Sequence, residues 1–384
     1  MQGLLATLYP YTGAVLPRGD HCQWPGFVCG KGHAKGCVVS INFTDGKVHR
    51  RSGSLNRWLF KFKNLHSIDL SGTDARGKIS FASHLDKLKV LNLERTQVEG
   101  DLKDLGGMPK LEVLILSRTK VEGDIQYLKW PSLSRLHLDK TKVHGDIAAF
   151  HSKKKIVNLK LADTKVFGDI KILDTSPQLA YIDLSGTEVQ GDIQVFQACV
   201  QLVELNLDKT YVHGDIQAFQ ATRELVSLKL QGTRVFGDII AFNATDKIAT
   251  ICLDLTHAGG DITVFRSAEF LETLQLASTQ VFGDIKVFEA TEALEQLDLS
   301  STKVAGDIQV FKSAGELKHL YLSATAISGD IAAFNKTNAS MLKALYLGQT
   351  NVSGNISALW AADRLEEVQL ASTHVYGDIH VFEG

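Results

Sequence analysis

No stretch of this 384-residue chain approaches about 18 consecutive apolar residues, so no segment reads as a membrane-spanning helix. A surplus of charge is missing too. Lys plus Arg number 41 against 43 Asp plus Glu, a formal net charge of −2, so no global field draws in nucleic acid or an anionic membrane. The first residues, Met1-Gln2-Gly3-Leu4-Leu5, have neither a basic stretch nor a small-residue cleavage site and do not read as an intact signal peptide. Catalytic signatures are also lacking. There is no H-E-x-x-H, no G-x-S-x-G, no phosphate-binding loop and no C-x-x-C, and the 13 histidines fall at unrelated positions. The expectation is a chain that is not an enzyme, with no cofactor and no metal site. Cysteine is scarce: Cys22, Cys29 and Cys37 precede the patterned part of the chain, and Cys199 and Cys252 lie far apart within it. An odd number forbids complete internal pairing.

What the chain does have is a repeat. A threonine recurs from Thr73 through Thr96, Thr119, Thr141 and Thr164 to Thr350 and Thr373, at a spacing of 23 residues with one step of 22 and one of 25. Around it runs the frame L-x-x-L-x-L-x-x-T-x-V-x-G-D-I-x-x-F, as in Leu202, Leu205, Leu207, Thr210, Val212, Gly214, Asp215, Ile216 and Phe219. A degenerate leading unit, Val38, Ile41, Phe43 and Gly46, precedes the others. L-x-L alternation is a short strand with alternate residues buried. The glycine permits a tight or left-handed backbone. The isoleucine and phenylalanine carry the chain back across the far side of a coil. One unit cannot bury its own apolar edge, so neighbouring units share a core and their strands pair in parallel.

This frame resembles the leucine-rich repeat, and its G-x-I resembles the plant-type subclass. The stretch Cys22-Gln23-Trp24-Pro25-Gly26-Phe27-Val28-Cys29 is similar to that subclass's N-terminal cap. The resemblance implies an α/β solenoid: a leucine-rich-repeat curved superhelix with one long parallel β-sheet on its concave face and about 15 coils of 23 residues. It implies a cap over 1–37, whose residues 1–21 supply a short helix, and a repeat array over 38–384; the expected absence of a C-terminal cap is a departure from the family. It further implies a Cys22–Cys29 disulfide. Cys199 and Cys252 are expected as free thiols, Cys252 at an outward strand position, while Cys37 either stays free or competes for Cys29. Members of the family include receptor-kinase ectodomains and polygalacturonase-inhibiting proteins. The implied function is therefore a non-catalytic recognition module that binds a protein, peptide or glycan through the concave face. The alternative is a structural subunit held within a larger assembly. The chain departs from the subclass in its threonine for asparagine, in an aspartate before the isoleucine, and in a missing proline after it.

Several residue rows carry candidate functions. The threonine row suits either an ice lattice or, in place of the family's inward asparagine, hydrogen bonds to backbone groups of neighbouring coils; the second reading is favoured. The aspartate row, Asp101, Asp124, Asp146 and onward to Asp378, with Lys78 and Asn355 as exceptions, either caps backbone N–H groups or binds calcium. One carboxylate per coil falls short of the six to eight oxygens calcium takes, which favours capping. On the strand face, Arg95, Arg118, Arg135, His137, Lys140 and Lys160 form a basic patch, followed by an acidic middle that includes Glu204, Asp208, Asp254 and Asp298. Tyr181, His319, Tyr321 and Tyr346 add aromatic anchors of the kind enriched at interfaces. Arg95, Arg118 and Arg135, from consecutive coils, are expected within roughly 5 to 10 Å of each other. A lateral stripe, Phe167, Phe236, Phe282 and Tyr376, with His144 and His213, is expected to face outward. It either meets a partner or packs on its neighbours. N-x-S/T begins at Asn42, Asn243, Asn335, Asn338, Asn351 and Asn355, six of 11 asparagines. That density favours a secretory route and an extracellular or cell-surface location, with an organelle-associated assembly as the alternative. Asn42 itself is expected to be poorly accessible.

Overall fold

The computed structural model describes residues 22, 26–30, 37–43, 52–54, 62–151, 153–335, 340–360 and 362–382, with the backbone alone for 52–54 and 381–382. The expected helix within residues 1–21, Gly46 and the Asn338 motif lie outside the described residues. The chain divides into two compact units, Met1–Gln190 and Gly191–Gly384. Each is a stack of leucine-rich-repeat coils, and no described helix is long and apolar enough to cross a membrane.

A coil of the first unit shows the plan. A leading strand, Val113–Ile115, runs into a turn, then a trailing strand, Lys120–Asp124, then a short 3-10 helix, Ile125–Tyr127. In the second unit the same order reads Glu204–Asn206, Tyr211–Asp215 and Ile216–Phe219. The frame residues Leu202, Leu205, Leu207, Val212, Ile216 and Phe219 are all at most 1% exposed. Burying each is worth roughly 2 kcal/mol, so the repeated letters of the frame are the core. Phe196 and Phe219 stack with ring centroids 6.5 Å apart, as do Phe311 and Phe334.

Leading strands pair in parallel with equivalent residues opposite each other, Arg135 with Asn158 and Leu136 with Leu159. The sheet of the first unit begins with an antiparallel pair, Phe27–Cys29 against Val38–Asn42. The trailing strands form a second parallel sheet that the sequence reading did not contain. It is staggered: Lys142 pairs with Glu122 and His144 with Asp124, two residues further along the preceding coil. An even slip leaves the valines inward and the intervening residues outward.

The glycine and aspartate of each G-D pair serve one device. Asp124 Oδ1 accepts the backbone N–H of Gln126 at 2.8 Å and so caps the 3-10 helix. Gly145 of the next coil lies against that carboxylate with φ +119, and a methyl group there would collide with Asp124 Oδ1. Glycine is thus required twice over, by backbone sign and by space. From Thr96 to Thr350 the threonines are buried, and the row bonds within its own coils, not to neighbouring ones. Thr119 Oγ1 donates to the Leu116 carbonyl at 2.6 Å, and Thr210 to that of Leu207 at 2.7 Å. With these hydroxyls inside, the ice-lattice reading has no surface to act through.

Candidate binding face

In the first unit the leading strands Arg135–His137, Asn158–Lys160 and Tyr181–Asp183 set Arg135, His137, Lys160 and Tyr181 side by side. His137 Nε2 lies 2.8 Å from Asn158 Oδ1. Burial holds this imidazole below its ordinary pKa, against the opposing effect of the Asn158 hydrogen bond. Arg95 and Arg118 do not share a column with Arg135. They occupy the residue before the threonine, in left-handed turns with φ 55 and 58. The third member of their column is Lys140, whereas Arg135 sits five residues earlier in the frame. The arginines therefore form two rows rather than one triad. Two local pairs also offset the basic patch, Arg95 with Glu94 at 3.4 Å and Lys140 with Asp163 at 3.6 Å. Such exposed pairs are individually weak. Arg118, Arg135 and Lys160 have no ion pair among the described residues.

In the second unit His319, Tyr321 and Tyr346 meet. The rings of Tyr321 and Tyr346 are 4.8 Å apart and perpendicular, and His319 stacks 6.3 Å from Tyr321. Tyr346 OH donates to Glu367, which raises the phenol's pKa. Burial raises that of Tyr321, helped by Glu367 and Asp298. On the same face Asp254 is 6% exposed, although it stands at an outward position. Its Oδ1 accepts the Ala277 N–H at 2.6 Å. Burial, with Asp298 and Asp208 nearby, pushes the carboxyl up to about 6 against that hydrogen bond. Cys252 is free and stands in the outward column with Lys229 and Gln275, as expected, but it is buried there; burial pushes its thiol up to about 12. Cys199 is free and buried, and Cys37 is free. The burial of Asp254 and Cys252 escapes a reading of the frame, which gives both an outward position.

The lateral phenylalanines do face outward. Phe167, Phe236 and Phe282 are 45%, 50% and 48% exposed and Tyr376 66%. They make no continuous stripe in the second unit, where Gly259 takes the place between Phe236 and Phe282. Each aromatic instead neighbours a polar residue, as Phe236 does Asp215 and His257. The aspartate row caps 3-10 helices from Asp101 to Asp330, and Asn355 does the same, whereas Lys78 makes no such bond. Among the described residues no group of three or more His, Cys, Asp or Glu is placed to hold a metal ion. A shallow groove of about 470 Å³ near the 3-10 helices of the second unit mixes Arg266 and Lys286 with Asp284 and Glu289. Cys22 and Cys29 are disulfide-bonded. Asn42, expected to be poorly accessible, is exposed, because the buried residues flanking it are Ile41 and Phe43. Asn243, Asn351 and Asn355 are exposed as well.

No family model matches the chain and no curated protein matches it. Solved structures do. A plant peptide hormone receptor, RGFR1 in complex with RGF2, is 22% identical with a TM-score of 0.72, over 92% of this chain and 61% of that one. The Arabidopsis receptor kinase HAESA leucine-rich-repeat ectodomain, in complex with an N-terminally extended IDA peptide hormone, is 20% identical with a TM-score of 0.69, over 97% of this chain and 75% of that one. An internalin of Listeria monocytogenes is 21% identical with a TM-score of 0.51, over 78% of each chain. The chain thus spans about three fifths of the length of the first of these receptors. Identities at this level establish the leucine-rich-repeat fold.

Proposed function

We propose that the chain is a non-catalytic recognition module that binds a protein or peptide partner on its leading-strand face. The observation that carries this reading is the register of that face. Outward residues of successive coils stand opposite one another, His319 with Ala344 and Tyr321 with Tyr346, in a grid about 4.8 Å apart that a partner can read. Tyrosine and arginine are the side chains most often found as binding anchors, and the grid carries Arg135, Tyr181, Tyr321 and Tyr346, with Arg118 in the turn row beside it. Structures of the same fold hold peptide hormones, as RGFR1 and HAESA do; a glycan remains an alternative ligand. Residues 1–37 are read as a cap and 38–384 as the array. The Cys22–Cys29 disulfide and the exposed Asn243, Asn351 and Asn355 motifs support a glycosylated chain on the secretory route, outside the cell or at its surface.

One observation favours a second reading, a subunit of a larger assembly. Phe236 and Phe282 stand half-exposed on the trailing strands, where a permanent neighbour would cover them. Purification from the native source separates the two. A soluble, glycosylated chain that elutes alone supports the recognition module. A chain recovered only with fixed companions, and insoluble without them, supports the assembly.

A further inference from the structure

We infer that the leading-strand face of the second unit, from Asp208 to Tyr346, receives a cationic stretch of an extended peptide, with an arginine or lysine of that peptide paired to Asp254. This rests on the reading of the face as the recognition surface and names the chemistry of its ligand.

Asp254 is the focus. It is more than nine-tenths buried, and its Oδ1 is held by the Ala277 N–H. Its Oδ2 accepts no hydrogen bond from the described residues, yet is not sealed: the one sealed side-chain atom without a partner among them is Ser323 Oγ, three coils further on. A desolvated carboxylate with one oxygen open at the surface is a costly arrangement that an incoming cation relieves. The surroundings do not supply that cation. Lys229, in register with Cys252, makes no ion pair among the described residues with Asp208, Asp254 or Asp298. Lys318 and Lys343 are engaged by Glu295 and Glu366 at 2.7 and 3.9 Å. Asp208 lies two coils before Asp254 in the same column and Asp298 two coils after it in the column of Cys252, and both charges act on the Asp254 carboxyl, so the three carboxylates border one track.

The track has a matching far end. Asp298 stands directly opposite Tyr321, and Tyr321 opposite Tyr346. Aromatic faces beside carboxylates attract guanidinium groups. Arginine suits the site better than lysine, being planar and more weakly hydrated. Along the turn edge the residues of four successive coils are Ala277, Ser300, Ser323 and Gly348, which leave room for a peptide backbone between the acidic and aromatic side chains.

Calorimetry with a hexa-arginine peptide near neutral pH tests the inference. The double variant Asp254→Asn/Asp298→Asn keeps a side-chain oxygen to accept the Ala277 and Ser300 N–H groups and removes both charges. Glu269→Gln/Glu292→Gln removes the same charge from exposed turns of the same unit. Circular dichroism establishes that both variants fold. The wild type should bind, the aspartate variant should bind about tenfold more weakly or worse, and the glutamate variant should match the wild type. An equal loss in both variants, or no binding by the wild type, overturns the inference. If hexa-arginine fails while a Tyr321→Ala/Tyr346→Ala variant loses the native partner, the cationic ligand falls and the recognition face stands. If that variant also keeps the partner, both fall.

Discussion

Replacing Asp254 with Asn should stabilise the folded chain, and by an amount that depends on pH. In the fold this carboxyl titrates at about 6, against 3.8 for an ordinary aspartate, mainly because burial disfavours its charge. Asp254 therefore holds its proton more tightly folded than unfolded. Its contribution to stability is fully present below pH 3.8 and is lost as the pH rises through about 6. The gap of about two pH units corresponds to about 3 kcal/mol. Asparagine cannot ionise, yet its amide oxygen still accepts from the Ala277 N–H. The stability difference between variant and wild type, read from urea unfolding midpoints across this pH range, should grow by about 3 kcal/mol in the variant's favour from acid to neutral pH. A difference that stays flat with pH, or a variant less stable than wild type at neutral pH, would refute the reasoning. Either result would mean that the folded chain compensates the Asp254 charge.

Gly145→Ala should cost about 2 to 4 kcal/mol, because alanine must adopt a left-handed φ and displace the Asp124 carboxylate that caps the helix. Gly107→Ala, where nothing lies within 4 Å, is the control and should change stability by less than about 0.5 kcal/mol. Equal effects in denaturant unfolding would dismiss the coupling of the glycine and aspartate rows. Adding a calcium chelator should leave the melting temperature unchanged, since the row's aspartates already accept backbone N–H groups. A fall of more than about 5 °C would make the row a metal site.

Much of the fold is legible in the sequence because one frame repeats. Leucine alternation gives the leading strands, and the 23-residue step places each beside the next. The trailing sheet was hidden because V-x-G-D reads as a turn. Gly145 is instead a strand residue whose positive φ makes space for the preceding coil's aspartate. The columns of the candidate face were legible where frame position decides them, as for Tyr321 opposite Tyr346. They were not where burial departs from frame position, as for Asp254 and Cys252. Arg95 and Arg118 were read as companions of Arg135 because consecutive coils were counted, although their frame positions, one residue before the threonine against six, already set them in separate rows. The exposed phenylalanines followed from alternation with the buried valine; their interruption at Gly259 is plain in the sequence once the stagger of the trailing strands is known.

The most direct test of the central claim compares two variants against the partner recovered from the native source. Arg118→Ala/Arg135→Ala/Tyr321→Ala/Tyr346→Ala alters the leading-strand face, and Phe167→Ser/Phe236→Ser/Phe282→Ser alters the trailing strands; none of these side chains belongs to the buried frame. Recognition on the leading-strand face predicts that the first variant loses the partner, with affinity down about a hundredfold or more, while the second binds as the wild type does. Normal binding by the first and loss by the second would contradict it and place the partner on the trailing strands.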